Sequence, residues 1–125
     1  MSKVASFEIG YTQYLDPSGK AAEPLPAFVQ DIDYLISLYR DMVLTRTFDT
    51  KAIALQRTGR LGTYPSTLGQ EAVSVAMGRT MQAADVFVPM YRECGTQFLR
   101  GVRMREILLY WGGDERGMDY AGPRE

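Results

Sequence analysis

Neither glycine nor proline occurs between Pro26 and Gly59, and this stretch constrains the fold more than any other feature of the sequence. Apolar side chains recur there at three- and four-residue steps, which place them on one face of an α-helix: Ile32, Leu35, Ile36, Tyr39, Met42 and Val43. Asp31 suits the N-cap position, and Asp33 in the first turn complements the helix dipole. We therefore predict one long helix from Asp31 to about Thr58.

Three shorter helices are predicted downstream. Thr67 and Gln70 are spaced as a capping box for a helix that starts near Gly69. In that helix a stripe of small side chains would admit a close neighbour: Ala72, Val73, Ala76 and Met77. The run "ECGTQFLRG" predicts a short helix that ends at Gly101, and "MREILLYWGG" predicts a helix with Trp111 in the core.

The rest of the chain predicts a short strand and two non-helical ends. "DVFVP", residues 85–89, has the β-branched and aromatic content of a minimal strand. Residues 1–30 predict an extended arm with a "DPSG" turn and an "EPLP" connector, which we expect to lie on another surface. Residues 31–113 form the helical part, and residues 114–125 predict a flexible loop of a chain that we expect to be truncated.

Composition excludes several classes of function. The 125 residues contain no histidine and one cysteine, so the chain alone cannot form a Ser-His or Cys-His dyad or a histidine-bearing zinc site. A net charge of -1 argues against nucleic-acid binding. The first fifteen residues lack the hydrophobic core segment of a signal peptide, and the longest apolar runs are only a few residues. We expect a cytoplasmic protein with no membrane contact.

The pair Tyr91-Arg92 is the best candidate for a binding site. It follows the predicted strand and precedes a predicted helix, where backbone N–H groups and a guanidinium together favour a phosphate. The alternative is that Tyr91 packs and Arg92 forms a surface ion pair. Cys94 lacks a histidine to activate it and is interpreted as a small buried residue. Glu71 fits a capping role better than acid or base catalysis.

At these residues the chain resembles a known family. The runs "YRDMVLTRTFDTKAIALQRTGRLGTYPSTLGQEAVSVAMG", "DVFVPMYRECGTQFLRG" and "ILLYWGGDERG" are similar to the N-terminal part of the alpha subunit of thiamine-diphosphate-dependent 2-oxo acid dehydrogenases. The resemblance covers roughly residues 34–117. It implies a mainly α segment of an α/β thiamine-diphosphate-binding fold.

The resemblance also implies a site and partners. Tyr91 and Arg92 would contact the cofactor's diphosphate, and Met90 would border it. No metal ligand is implied on this chain, because the Gly-Asp-Gly and Asn-Asn signature that binds magnesium and the diphosphate is absent. No catalytic residue is implied either, because the family's carboxylate that activates the thiamine ring comes from the beta subunit. The implied partners are a beta subunit in a heterotetramer, the lipoyl domain of the acyltransferase component and a small 2-oxo acid.

Two questions stay open at this point. "YPSTL" stands where pyruvate-type members often carry a histidine, which favours a branched-chain 2-oxo acid as substrate. The longer run "RTGRLGTYPSTLGQEA" is closer to bacterial pyruvate-type chains. Between the two we favour pyruvate. The hypothesis from a different class is a stand-alone helical interaction module. On the enzyme hypothesis this fragment alone is expected to be inactive.

Overall fold

The computed structural model describes residues 2–119, which form four α-helices and two short 3-10 turns. The helices are α1 (Ile32–Arg57), α2 (Glu71–Thr80), α3 (Cys94–Leu99) and α4 (Met104–Trp111). The 3-10 turns are Ala27–Gln30 and Glu115–Met118. The chain divides into two units, Met1–Leu35 and Ile36–Glu125. No helix within residues 2–119 is long and apolar enough to cross a lipid bilayer.

The first unit has little regular structure before α1. Four apolar side chains are almost fully exposed in it: Val4, Phe7, Ile9 and Tyr11. The predicted "DPSG" turn is confirmed, because Asp16 Oδ1 accepts hydrogen bonds from the backbone N–H groups of Ser18 and Lys20, both at 2.9 Å. An isolated antiparallel bridge joins Leu15 to Ala21. Contact of this arm with another surface stays a prediction.

Helix α1 has the ends that the sequence predicts. Asp31 Oδ1 accepts from the backbone N–H of Tyr34 at 2.9 Å and satisfies a donor that the first helical turn leaves open. At the other end Gly59 has φ 73°, a conformation that side chains with a Cβ disfavour. The chain then turns back, and the Arg60 N–H donates to the Leu55 carbonyl at 2.9 Å. The long helix is thus confirmed.

The core of the second unit lies between α1, the following loop and the two C-terminal helices. Its buried members are Phe48, Ala52, Leu61, Tyr64, Cys94 and Ile107. Phe98 of α3 meets Phe48 edge to face with ring centroids 5.1 Å apart, and Trp111 of α4 meets Tyr64 in the same way at 5.7 Å. Such edge-to-face pairs contribute beyond the area they bury. This aromatic cluster holds the loop after α1 against α4.

The predicted packing face of α2 is wrong. Its buried residues are Glu71, Ser74 and Val75, while the small side chains of the predicted stripe are exposed at Ala72, Val73 and Ala76. The face of α2 that carries Ser74 instead contacts α3, where Ser74 Oγ accepts from the Thr96 N–H at 2.8 Å.

The predicted capping box at the start of α2 is also wrong. Thr67 Oγ1 is buried and has no hydrogen-bond partner among the described residues, and Gln70 makes no side-chain cap. Glu71, the first residue of α2, instead accepts a hydrogen bond from the Gly69 N–H at 3.1 Å. A carboxylate inside the helix thus binds a backbone donor that precedes the helix.

The predicted strand at residues 85–89 is not formed. Phe87 is buried between exposed Val86 and Val88, so the segment alternates as a strand does, yet no segment within residues 2–119 pairs with it. A strand requires inter-strand hydrogen bonds, and β-propensity alone supplies none. In the predicted C-terminal loop, Glu115–Met118 form one 3-10 turn, and residues 120–125 lie outside the described part.

Candidate functional site

Tyr91 and Arg92 lie side by side in the turn that leads into α3. The Arg92 guanidinium carbon is 4.8 Å from the centre of the Tyr91 ring, within the range of a cation–π contact. Tyr91 is 51% exposed, and Met90 before it is 65% exposed. The two side chains of the predicted pair are therefore in contact, with Tyr91 half exposed and Arg92 partly buried.

Arg92 is anchored by its inner nitrogen. Its Nε donates to the backbone carbonyl of Ser66 at 2.9 Å, and neither of its two η nitrogens donates to any residue between 2 and 119. The guanidinium is thus oriented at one edge, while the edge that forms bidentate contacts with carboxylates and phosphates is unused. The predicted surface ion pair of Arg92 is not observed among these residues.

Two cavities adjoin the pair. One, of about 260 Å³, is lined by Gln70, Met90, Tyr91, Arg92 and Glu93. The other, of about 220 Å³, includes Met90 and Tyr91 with Trp111 and Met118 in its lining. The three residues predicted from sequence, Met90, Tyr91 and Arg92, all line the first cavity, and Met90 and Tyr91 also line the second.

The helix that follows gives the pair little electrostatic help. The electrostatic field at a helix end comes from the aligned peptide dipoles of the helix. Helix α3 has only six residues, so few dipoles contribute to the field at its N-terminus. The Glu93 side chain also accepts from the Met90 N–H at 2.7 Å, so one backbone donor of the turn is already used. The site depends on the arginine and the tyrosine more than on the backbone.

A buried carboxylate lies behind the turn. Asp49 of α1 is 3% exposed. Asp49 Oδ1 accepts from the Tyr64 hydroxyl at 3.0 Å and from the Thr67 N–H at 2.7 Å, and Oδ2 accepts from Ser66 Oγ at 2.8 Å. Buried carboxylates are stable only with such partners. The sequence reasoning missed Asp49, although its position among Thr45, Phe48 and Ala52 places it on the buried face of α1.

Glu71 is held by Arg46 in an ion pair between α2 and α1. The Arg46 Nε–Glu71 Oε1 distance is 2.5 Å, and this hydrogen bond lowers the pKa of Glu71 to about 2. A carboxyl group with so low a pKa stays ionised at neutral pH and is a poor general acid or base. Its geometry fits the predicted capping role.

Cys94 is a buried thiol with no activating base. Burial is the main cause that raises the pKa of Cys94 to about 11, and the Tyr64 hydroxyl lies 3.8 Å from its sulfur. Burial also raises the pKa of Tyr64. The thiolate is the nucleophilic form of cysteine, and a thiol with so high a pKa forms little of it at neutral pH. We therefore interpret Cys94 as a residue of the core.

No cluster of three or more His, Cys, Asp or Glu side chains that could hold a metal ion occurs within residues 2–119. The polar side chains that line the cavity of about 260 Å³ include those of Tyr91 and Arg92. Such an arrangement can bind an oxyanion.

Comparison with known proteins identifies the family. Residues 39–124 match the family model described as "Dehydrogenase E1 component". The chain belongs to the dehydrogenase E1 component family. Members of this family depend on thiamine diphosphate. The turn with Tyr91 and Arg92 lies within the matched residues.

Several curated members of the dehydrogenase E1 component family are similar to the chain. The pyruvate dehydrogenase E1 component subunit alpha of Acholeplasma laidlawii is 43% identical over 83 residues, 66% of this chain and 24% of that protein. The subunit of the same name from Mycoplasma pneumoniae is 33% identical over 105 residues, 84% and 29% of the two chains. The 3-methyl-2-oxobutanoate dehydrogenase subunit alpha of Mycobacterium tuberculosis is 38% identical over 80 residues, 64% and 22%.

The matched region is a minor part of these relatives. The chain spans about a quarter of the length of the curated dehydrogenase E1 proteins it matches. No solved structure matches the chain.

Proposed function

We propose that this chain is the N-terminal part of the alpha subunit of a pyruvate dehydrogenase, which decarboxylates a 2-oxo acid oxidatively and transfers the acyl group to a lipoyl group. The observation that carries the proposal is that the η nitrogens of Arg92 donate to no residue between 2 and 119, within a segment that matches the dehydrogenase E1 family. Thiamine diphosphate, when bound, supplies the electron sink for loss of carbon dioxide. The proposal includes the α/β thiamine-diphosphate-binding fold, of which residues 31–113 would be the helical N-terminal part, and a cytoplasmic location.

The residues at the turn fit one end of a diphosphate. The two η nitrogens of Arg92 and the hydroxyl of Tyr91 are donors beside a cavity of about 260 Å³. Hydrogen bonds of this charge-assisted kind contribute about 1.5 to 3 kcal/mol each. Met90 would border the bound cofactor without a polar contact.

These residues cannot bind the whole cofactor. One guanidinium does not neutralise a diphosphate, and Glu93 in the cavity lining adds a negative side chain. We propose that the magnesium ligands and the groups that act on the thiamine ring come from residues outside 2–119 and from a beta subunit in a heterotetramer. The chain would thus bind and orient the cofactor, and the lipoyl domain and the 2-oxo acid would meet the assembled enzyme.

The test is the replacement Arg92→Ala in the full-length protein assembled with its beta subunit. The dissociation constant of thiamine diphosphate, measured by fluorescence titration, should rise at least about tenfold, because one charge-assisted contact of about 1.4 kcal/mol or more is lost. Arg57→Ala is the matched control, since Arg57 is an exposed arginine at the end of α1. An unchanged constant in the Arg92 variant would show that the pair is not a cofactor site.

A second candidate function differs only in substrate. The similarity to a 3-methyl-2-oxobutanoate dehydrogenase alpha subunit favours branched-chain 2-oxo acids. The rates of the assembled enzyme with pyruvate and with 3-methyl-2-oxobutanoate decide between the two. The stand-alone interaction module predicts a protein that neither binds thiamine diphosphate nor assembles with a beta subunit.

A further inference from the structure

A single peptide group lies between Asp49 and Arg92. The peptide bond from Ser66 to Thr67 directs its N–H to Asp49 Oδ1 at 2.7 Å and its carbonyl oxygen to Arg92 Nε at 2.9 Å. The structure contains no cis peptide bond among residues 2–119. In a planar trans peptide the N–H and the C=O point in opposite directions, so the two side chains hold one rigid plane from its two ends.

The charges of the two side chains match the dipole of this peptide group. The N–H is the positive end of the peptide dipole and faces a carboxylate, and the C=O is the negative end and faces a guanidinium. Hydrogen bonds in such a chain polarise one another and strengthen together where water is excluded. Asp49 is 3% exposed, so the hydrogen bond between its carboxylate and the Thr67 N–H is shielded from solvent.

Asp49 also fixes the segment on either side of this peptide. Its carboxylate accepts from the Tyr64 hydroxyl at 3.0 Å and from the Ser66 hydroxyl at 2.8 Å. The segment 64–67 is therefore bound to α1 at three points. Movement of the Ser66 carbonyl, and with it of Arg92, requires that these contacts open.

We infer that Asp49 is a positioning residue for the cofactor site, which orients the Arg92 guanidinium through the Ser66–Thr67 peptide group. The inference rests on the proposed function of Arg92. Asp49 itself touches no ligand; its effect is that the η nitrogens of Arg92 face the cavity before a diphosphate arrives. Orientation in advance removes part of the entropy cost of binding.

The test is a double-mutant cycle on the full-length protein assembled with its beta subunit, with the thiamine diphosphate dissociation constant as the readout. Asp49→Ala should raise the constant about fivefold when Arg92 is present and less than about twofold in the Arg92→Ala background. Asp49→Asn should lie between wild type and Asp49→Ala, because the amide oxygen still accepts from the Thr67 N–H. If Asp49→Ala does not fold, Asp49→Asn is used in the same cycle.

Ser74→Ala is the matched control for a general loss of stability. Ser74 is buried, and its hydroxyl accepts from the Thr96 N–H, but it has no bond to the segment 64–67. It should lower the melting temperature and leave the dissociation constant unchanged. An equal factor for the Asp49 variants in both backgrounds, or no effect with Arg92 present, would overturn the inference.

A crystal structure of Asp49→Ala, or of Asp49→Leu if the alanine variant does not fold, separates failure of this inference from failure of the proposed function, because both side chains lack an acceptor for the Thr67 N–H. If Arg92→Ala leaves cofactor binding unchanged, the proposed contact of Arg92 with the cofactor is wrong, and the Arg92 Nε–Ser66 O distance then decides the positioning role. Displacement from the 2.9 Å of the wild type supports positioning by Asp49. An unchanged distance refutes it, whatever Arg92→Ala does to cofactor binding.

Discussion

Ser74 and Thr96 are joined by three hydrogen bonds across the contact between α2 and α3, the longest of them between their hydroxyl oxygens at 3.4 Å. The Ser74 hydroxyl accepts from the Thr96 N–H at 2.8 Å, and the Thr96 hydroxyl donates to the Ser74 carbonyl at 2.7 Å. Both residues are buried. Two short helices are thus joined by polar contacts in a place where apolar packing is the usual solution.

Gly95→Ala should destabilise this contact. A Cβ at Gly95 would be 2.7 Å from Ser74 Oγ and 3.1 Å from Thr45 Oγ1, so buried neighbours must shift at a cost of about 1 to 3 kcal/mol. Thermal unfolding of the purified protein measures the change. Gly10→Ala is the control, because a Cβ there meets nothing within 4 Å. Equal melting temperatures for the two variants would contradict the packing described for α3.

Glu71→Gln should remove a pH-dependent part of the stability. The hydrogen bond from Arg46 holds the pKa of Glu71 at about 2, below its ordinary value of 4.5. A depressed folded-state pKa stabilises the protein above the unfolded value, and this contribution is lost as pH falls from about 4.5 towards 2. The difference in urea unfolding free energy between wild type and Glu71→Gln should therefore be large at pH 7 and shrink below pH 4.5. A difference that does not vary with pH would exclude this origin.

Cys94 should resist alkylation until the protein unfolds. Burial raises the pKa of its thiol to about 11, so at pH 8 the thiolate that reacts with iodoacetamide is scarce and inaccessible. Mass spectrometry should find little modification in the native protein and complete modification in denaturing urea. Rapid labelling of the native protein would show that the α3 region opens readily.

The ends of the long helix were predictable because their causes are local. Asp31 and Gly59 lie next to the helix they bound, and each acts on backbone groups a few residues away. The role of Asp49 was not predicted, because its partners are 15 to 18 positions later in the chain and meet it only when the loop folds back. The strand predicted at "DVFVP" was wrong, because the composition of a segment indicates β-propensity but does not show whether another segment pairs with it.

The site was partly predictable as well. Tyr91 and Arg92 are neighbours in sequence, so their proximity required no fold, and the family resemblance drew attention to them. The hydrogen bond from Arg92 Nε to the Ser66 carbonyl joins residues 26 positions apart. A short-range sequence pattern does not indicate a contact of this kind.

The bond between Arg92 and Ser66 is made to the main chain, and this determines how the site tolerates sequence change. Any residue at position 66 offers the same carbonyl oxygen, and any residue but proline at position 67 offers the same N–H. Members of a family could therefore keep this geometry while the letters at both positions drift. Comparison of sequences at those positions would not show the contact, whereas a proline at position 67 would abolish the half of it that Asp49 holds.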